Sequence, residues 1–234
     1  MIKAVIFDLD DTLYNEAQFV KSGFKSVASY IAQYKGFSRS KIYKLLLRAL
    51  KKHGRGHTFD IVLKENSLCK NISIKKLVGI YRAHKPKLSL YSGTKSVLNR
   101  LKKQNYKLGL ITDGNLNTQR NKVNALKIRK FFDSVIFTNR YGINKQKPNS
   151  FPYRMALAKL NVKPYESVYV GDNPHKDFIT AKRLGMYTVR VIRGQYKNLN
   201  ISKQYEAVHK VKDLNSIFII LKFINKNYEK FYSN

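Results

Sequence analysis

Two patterns of apolar and polar residues divide the chain. The first is a short run of strand-forming apolar residues, typical of a strand buried on both faces. The second places apolar residues three and four apart, as in an amphipathic helix. Outside residues 15–88 the patterns alternate, predicting strands at 4–7, 107–112, 134–138, 167–170 and 187–191 and helices over about 117–127, 151–160 and 175–184. This alternation predicts an α/β fold, a Rossmann-like parallel sheet with helices on both faces.

Residues 15–88 carry only the helical pattern. A first helix is predicted over about 16–34, and a second begins after Ser38, whose side chain can cap it. A shorter helix around Phe59 and a fourth begun by Ser73 follow. This stretch is therefore predicted to form a helical bundle inserted after the first strand.

The insertion predicts two domains. Residues 1–14 and 89–234 would form the catalytic core, and residues 15–88 a helical cap domain. Active groups of parallel sheets lie at the carboxyl ends of the strands, so we expect the insert to sit above that edge as a lid.

The C-terminal part continues the core. Residues 207–211 are predicted as an edge strand, and the spacing of apolar residues from Leu214 onward predicts an amphipathic helix. Packing of this helix on the core is favoured over a membrane or partner role. The longest apolar run is far shorter than the roughly 20 residues needed to span a bilayer, so membrane insertion is not expected.

The charge is strongly positive, with 46 Lys and Arg against 14 Asp and Glu, a net +32. Such a field attracts phosphorylated metabolites, nucleic acid or an anionic membrane surface. The basic residues are spread along the chain, which favours a general compositional bias over a dedicated polyanion site. Nucleic acid is thus a partner that the charge allows but the motifs do not favour. The single cysteine, Cys69, and the absence of a signal-peptide pattern favour the cytoplasm.

Candidate chemistry begins where the first strand ends. Asp8, Asp10 and Asp11 follow the apolar run directly. A turn there can aim the side chains of Asp8 and Asp10, and the backbone carbonyls between them, at one cation. Sparse oxygen ligands suit Mg²⁺, which is the predicted cofactor.

The segment Asp8-Leu9-Asp10-Asp11-Thr12 resembles the first motif, Asp-x-Asp-x-Thr, of the haloacid dehalogenase-like hydrolases, and three later motifs agree with it in the expected order. The resemblance implies that Asp8 is the nucleophile that accepts a phosphoryl group. It implies that Asp10 protonates the leaving oxygen and then activates water. Members that cleave carbon–halogen bonds lack an acid at the second position, so Asp10 favours phosphate chemistry.

The second and third motifs are predicted to bind phosphate. Thr112 ends an apolar strand and is followed by Asp113, and a hydroxyl at a strand end can donate to a phosphate oxygen. The resemblance implies a lysine as third motif. Lys147 fits best because Pro148 and a helical pattern follow it, although Ser150 stands where the family has a second proline; Lys145 is the alternative. The predicted phosphate-binding residues are Thr112, Asp113 and Lys147.

The fourth motif follows the strand at 167–170. Its residues, from Gly171-Asp172 to Asp177, match the family's Gly-Asp-x(4)-Asp. The resemblance implies that Asp172 binds Mg²⁺ together with Asp8 and the Asp10 carbonyl. Asp177 would hold a metal-bound water or orient Lys147.

These residues predict a Mg²⁺-dependent phosphatase acting on a small phosphorylated metabolite, a sugar phosphate or a nucleotide. In the predicted cap, Arg55 and His57 lie in a glycine-flanked loop and are candidates for substrate specificity. The alternatives are a phosphomutase of the same family and a non-catalytic polyanion-binding protein. The sequence leaves the physiological substrate and the oligomeric state open.

Overall fold

The computed structural model describes residues 1–33, 37–67 and 72–232. The end of the first predicted cap helix, at Tyr34, and Cys69 lie outside the described residues. The chain divides into two compact units: residues 1–16 with 89–234, and residues 17–88. We call the first the sheet unit and the second the helical unit.

The sheet unit contains a six-stranded parallel sheet in the order β3-β2-β1-β4-β5-β6. The strands are β1 (Ala4–Phe7), β2 (Lys107–Thr112), β3 (Ser134–Phe137), β4 (Ser167–Gly171), β5 (Tyr187–Val191) and β6 (His209–Val211). All four residues of β1 are buried, as expected for a central strand covered on both faces. The predicted α/β fold class is confirmed.

Strand register brings the sequence motifs to one edge. Phe7 of β1 pairs with Leu110 of β2 and with Val170 of β4. The residues that follow β1, β2 and β4 therefore emerge side by side at the carboxyl edge of the sheet, where parallel α/β proteins bind ligands.

Helices connect and flank the strands of this unit. They are α5 (Thr94–Lys103), α6 (Leu116–Ala125), α7 (Phe151–Leu160), α8 (Ile179–Arg183) and α9 (Ile217–Tyr232). In α9, Ile217, Leu221 and Ile224 are buried, and the Ile2 amide donates to Asn225 Oδ1 at 2.7 Å. This helix packs on the sheet unit, as its amphipathic pattern predicts. Within the described ranges, no helix is both long and apolar enough to cross a membrane.

One helix differs from its prediction. The pattern predicts a helix over 175–184, but α8 begins only at Ile179. The preceding residues form a turn in which Asn173 Oδ1 accepts from the His175 amide at 3.0 Å and Asp177 Oδ2 accepts from the Asn173 amide at 3.0 Å. Side chains that bond nearby amides compete with helical bonds, so the helix starts later.

The helical unit consists, in its described part, of α1 (Ala17–Ile31), α2 (Arg39–His53), α3 (Thr58–Glu65) and α4 (Ile74–Ala83). Ser38 caps α2 by accepting from the Lys41 amide at 3.1 Å, as predicted. The helices share their own apolar core, which includes Val27, Ile42, Leu46 and Leu77. All residues of this core belong to the helical unit. The assignment of the helical unit as a substrate-covering cap stays a prediction.

The core of the helical unit is expected to depend on Leu46, which is fully buried. Leu46→Ala should lower the free energy of unfolding by about 2–5 kcal/mol, because it leaves a cavity as well as losing apolar burial. Ile74→Ala, at a position that is 40% exposed, is the control and should change it by less than about 0.5 kcal/mol. Urea unfolding followed by circular dichroism measures both, and equal losses would contradict the assignment of this core.

Candidate active site

Asp8 lies at the start of the loop after the central strand β1. Its amide continues the sheet by donating to the Val170 carbonyl at 2.9 Å, and its side chain is buried. The loop turns back at Asp11, whose φ of 53° is in the left-handed region. The Asp11 carboxylate accepts from the amides of Glu16 at 2.9 Å and Gln195 at 3.1 Å. Asp11 thus fixes the loop, and the sheet and this loop together fix Asp8.

Lys147 reaches Asp8 from the loop before α7. Its ammonium group donates to Asp8 Oδ1 at 2.5 Å, to Asp177 Oδ1 at 2.8 Å and to the Tyr169 hydroxyl at 3.1 Å. Burial alone would lower the pKa of Lys147, but the Asp177 and Asp8 carboxylates raise it well above its usual value. A permanent positive charge therefore lies beside Asp8. Lys145, the alternative, lies over the Phe151 ring instead.

Asp177 is fixed from several sides. It is fully buried, its Oδ1 accepts from Lys147 and Tyr169, and its Oδ2 accepts from the Asn173 amide. Gly171 leaves the necessary space, because a Cβ atom there would lie 2.3 Å from Asp177 Oδ2. The arrangement suits the predicted role of orienting Lys147.

Asp172, directly after β4, completes a carboxylate cluster. Asp8, Asp172 and Asp177 each offer an oxygen atom, and the three atoms lie within 4.8 Å of one another. The Thr12 hydroxyl lies between the first two, 3.1 Å from Asp8 Oδ2 and 3.4 Å from Asp172 Oδ1. The predicted ligands Asp8 and Asp172 are thus adjacent.

The electrostatics of this cluster favour a cation. Burial raises the pKa of Asp172 to about 10, and the Asp8, Asp177 and Asp11 carboxylates raise it in the same direction. Burial also raises the pKa of Asp8 to about 7, against the lowering effect of Lys147. Three buried carboxylates around one ammonium group would carry excess negative charge if all were ionised, so a bound proton or a cation must offset it. Their hard oxygen donors fit Mg²⁺, so the residues present match the predicted metal.

The second motif lies at the end of β2. Thr112 is buried and its hydroxyl donates to Gln119 Oε1 at 3.1 Å. The Asp113 carboxylate accepts from the Thr138 hydroxyl at 2.9 Å and from the backbone amide of Lys147 at 3.2 Å. Asp113 thereby links the second motif to the lysine loop.

The Asp10 carboxylate is held by donors from α6 and by Tyr14. Its carboxylate accepts from Lys122 Nζ at 2.7 and 2.9 Å, from the Tyr14 hydroxyl at 2.5 Å and from Gln119 Nε2 at 3.2 Å. The side chain therefore faces α6. These contacts involve the Asp10 side chain, so the metal-binding role of its backbone carbonyl stays a prediction.

Arg55 and His57 lie in the exposed loop between α2 and α3 of the helical unit. Their predicted role in specificity stays a prediction.

Sequence reasoning missed several residues of the site, among them Lys122, Gln119, Tyr14 and Tyr169. Lys122 and Gln119 are on α6, in a stretch rich in polar residues, where a lysine is usually solvated. One signal was available: Gln119 and Lys122 are three residues apart, so they share a helix face, and that helix follows the strand of the second motif. Tyr169 lies within a buried strand, where nothing in the local pattern marks its hydroxyl.

A parallel sheet with buried carboxylates and a lysine at its carboxyl edge thus defines the architecture of the site. The chain also matches the model of the haloacid dehalogenase-like hydrolases over residues 5–191. This chain belongs to that family and is a hydrolase, as its motifs predict.

Individual relatives agree with this membership. The chain is 35% identical over 233 residues to the glyceraldehyde 3-phosphate phosphatase of Methanocaldococcus jannaschii, covering 97% of this chain and 100% of that protein. It is 31% identical over 241 residues to the enzyme of that name from Pyrococcus furiosus, covering 100% and 98%. The crystal structure of a HAD phosphatase from Thermococcus onnurineus has a TM-score of 0.63 at 26% identity, covering 94% and 98% of the two chains.

The crowded carboxylates give a prediction for the metal-free protein. Since the folded-state pKa of Asp172 is raised from 3.8 to about 10, folding holds a proton that the unfolded chain releases. This contribution to stability is complete below about pH 4 and is lost as pH rises through the folded-state pKa. Asp172→Asn should raise the free energy of unfolding at pH 8 by about 1–3 kcal/mol, and by less at pH 5.

Thermal unfolding at both pH values, with and without MgCl₂, measures this effect. If Asp172 is the predicted ligand, the native protein should gain stability from Mg²⁺ and the variant should not. A variant less stable than the native protein at pH 8 without metal would show that other interactions offset the cost of burying the Asp172 carboxyl group.

Proposed function

We propose that this hydrolase is a Mg²⁺-dependent phosphatase that transfers the phosphoryl group of a small sugar phosphate to Asp8 and then to water. The observation that carries the proposal is the 2.5 Å contact between Lys147 Nζ and Asp8 Oδ1 inside a buried carboxylate cluster. A nucleophilic carboxylate beside a fixed cation is what phosphoryl transfer requires, because charge on the transferring oxygens must be balanced.

In the first step, Asp8 attacks phosphorus and the substrate alcohol departs with a proton from Asp10. In the second step, Asp10 takes a proton from water, which attacks phosphorus and releases inorganic phosphate from Asp8. One residue serves both steps because it receives in the second the proton that it gave in the first.

Lys147 is proposed to stabilise the phosphoryl oxygens throughout, since Asp177 and Tyr169 fix its ammonium group beside Asp8. Mg²⁺, held by Asp8 and Asp172 with the Asp10 carbonyl, would supply further positive charge at the phosphoryl group. Asp177 would support this arrangement through Lys147.

The Thr112 hydroxyl is proposed to donate to a phosphate oxygen when substrate binds, in place of its present hydrogen bond to Gln119 Oε1. Asp113 would contribute to the phosphate site through the backbone of Lys147, which it holds at 3.2 Å. A carboxylate repels phosphate, so this indirect role suits Asp113 better than direct contact.

The proposed substrate is glyceraldehyde 3-phosphate or a similar small sugar phosphate. The support is the name of the relatives, one of which is 35% identical and matches 97% of this chain. The net charge of +32 would favour encounter with such anions at low ionic strength. The helical unit is proposed to act as the cap, with Arg55 and His57 selecting the substrate.

Phosphate release from a panel tests the proposal. The panel contains glyceraldehyde 3-phosphate, other sugar phosphates, nucleotides, pyrophosphate and an aryl phosphate, with Mg²⁺ or with chelator. We expect metal-dependent release, with a small sugar phosphate as the best substrate. Asp8→Asn should lower kcat by about a thousandfold or more, because the covalent step is lost.

Asp213→Asn is the matched control. It makes the same carboxylate-to-amide change at an exposed residue that caps a turn by accepting from the Asn215 amide. It should leave kcat within about twofold, as surface changes usually do. Full activity of Asp8→Asn would exclude Asp8 as nucleophile, and conversion of substrate without release of phosphate would indicate a mutase.

A further inference from the structure

We infer that Lys122 is a positioning residue for this reaction, one that orients the Asp10 carboxylate for proton transfer at the leaving oxygen. The inference rests on the proposed function, in which Asp10 is the acid and base.

Lys122 is buried to an unusual degree for a lysine, with 2% of its surface exposed. Its ammonium group lies 2.7 and 2.9 Å from the two oxygens of Asp10 and 3.3 Å from Glu16 Oε1. Burying an ammonium group is costly unless it is paired. Here the buried ammonium group is paired with Asp10, the residue proposed to transfer protons.

Lys122 acts within a set of donors that all converge on Asp10. Tyr14 donates to Oδ1 at 2.5 Å and Gln119 to Oδ2 at 3.2 Å, while Lys122 contacts both oxygens. A carboxylate with donors on both oxygens has little freedom to rotate. Lys122 alone among these donors fixes the two oxygens together, so its loss should affect orientation most.

Gln119 links the Asp10 carboxylate to the proposed phosphate site. Gln119, which donates to Asp10, accepts from the Thr112 hydroxyl at 3.1 Å. Lys122 follows Gln119 by three residues on α6, whose start Asn115 caps by accepting from the Thr118 amide at 3.2 Å. One rigid helix turn therefore ties the proton-transfer residue to the phosphate-binding threonine.

A positioning role has a consequence that a structural role lacks. Proton donation matters when the leaving group is an alkoxide, as with a sugar phosphate, and matters little when it is an acidic phenol such as 4-nitrophenol. The value of kcat/KM reports steps up to the first irreversible one, here the transfer to Asp8. A misplaced Asp10 should therefore lower kcat/KM for sugar phosphates selectively.

The experiment measures kcat/KM of Lys122→Met with the best sugar phosphate of the panel and with 4-nitrophenyl phosphate. We expect at least about a tenfold loss for the sugar phosphate, given that small misplacements cost up to about a hundredfold, and less than about a twofold loss for the aryl ester. Lys122→Arg, which keeps the charge and the donors, should recover part of the lost activity.

Two control variants test whether the effect is specific to the contact between Lys122 and Asp10. Glu16→Gln removes the charge of its other carboxylate partner and should leave the ratio between the two substrates unchanged. Lys102→Met removes a lysine from an ion pair with Asp133 at 2.7 Å, in a position where the side chain is 40% exposed, and should do the same. Thermal unfolding checks each variant, and Lys122→Gln replaces Lys122→Met if the latter does not fold.

Equal losses on both substrates, no loss, or a gain on the sugar phosphate would overturn the role of Lys122. These outcomes leave the proposed function intact, provided that the native protein releases phosphate and Asp8→Asn does not. Failure of the native protein on both substrates would instead count against the proposed function itself.

Discussion

The ion pair between Lys147 and Asp8 is the interaction on which the rest of the site depends. The buried ammonium group of Lys147 is paired with Asp8 and Asp177, and it offsets the negative charge of these neighbouring carboxylates. The sheet brings the acids together, because β1 and β4 are neighbours and Asp8 and Asp172 follow them at the same edge. Tyr169 and Asp177 then prevent Lys147 from turning to solvent.

Most of the sheet unit could be predicted from its sequence, and the reason is physical. Strands buried on both faces are mostly apolar, so β1, β2 and β4 are recognisable as apolar runs, and acids that follow such runs stand out. The late start of α8 could not be predicted in this way, because side chains of Asn173 and Asp177 bond amides that a helix would otherwise use. The spacing of apolar residues does not reveal local hydrogen bonds between side chains and backbone amides.

The site was predictable only in part for a similar reason. Asp8, Asp172 and Lys147 occur in segments whose order resembles a known family, and the structure brings all three together. Lys122 has no motif, and its burial depends on Asp10 and Glu16, which are distant in sequence. The phosphomutase alternative stays a hypothesis, since a mutase would keep the same residues and differ only in the fate of the phosphoryl group.

The hydroxyl of Thr12 lies between Asp8 and Asp172, although these acids are far apart in sequence and follow different strands. The carboxylate cluster therefore arises only after β1 has paired with β4, and a partly folded chain offers no such arrangement of oxygens. Binding of a divalent cation would then report that the sheet unit has folded, since free energy of binding at such a site is also free energy of folding. A newly made chain would become competent for chemistry and resistant to unfolding in the same event.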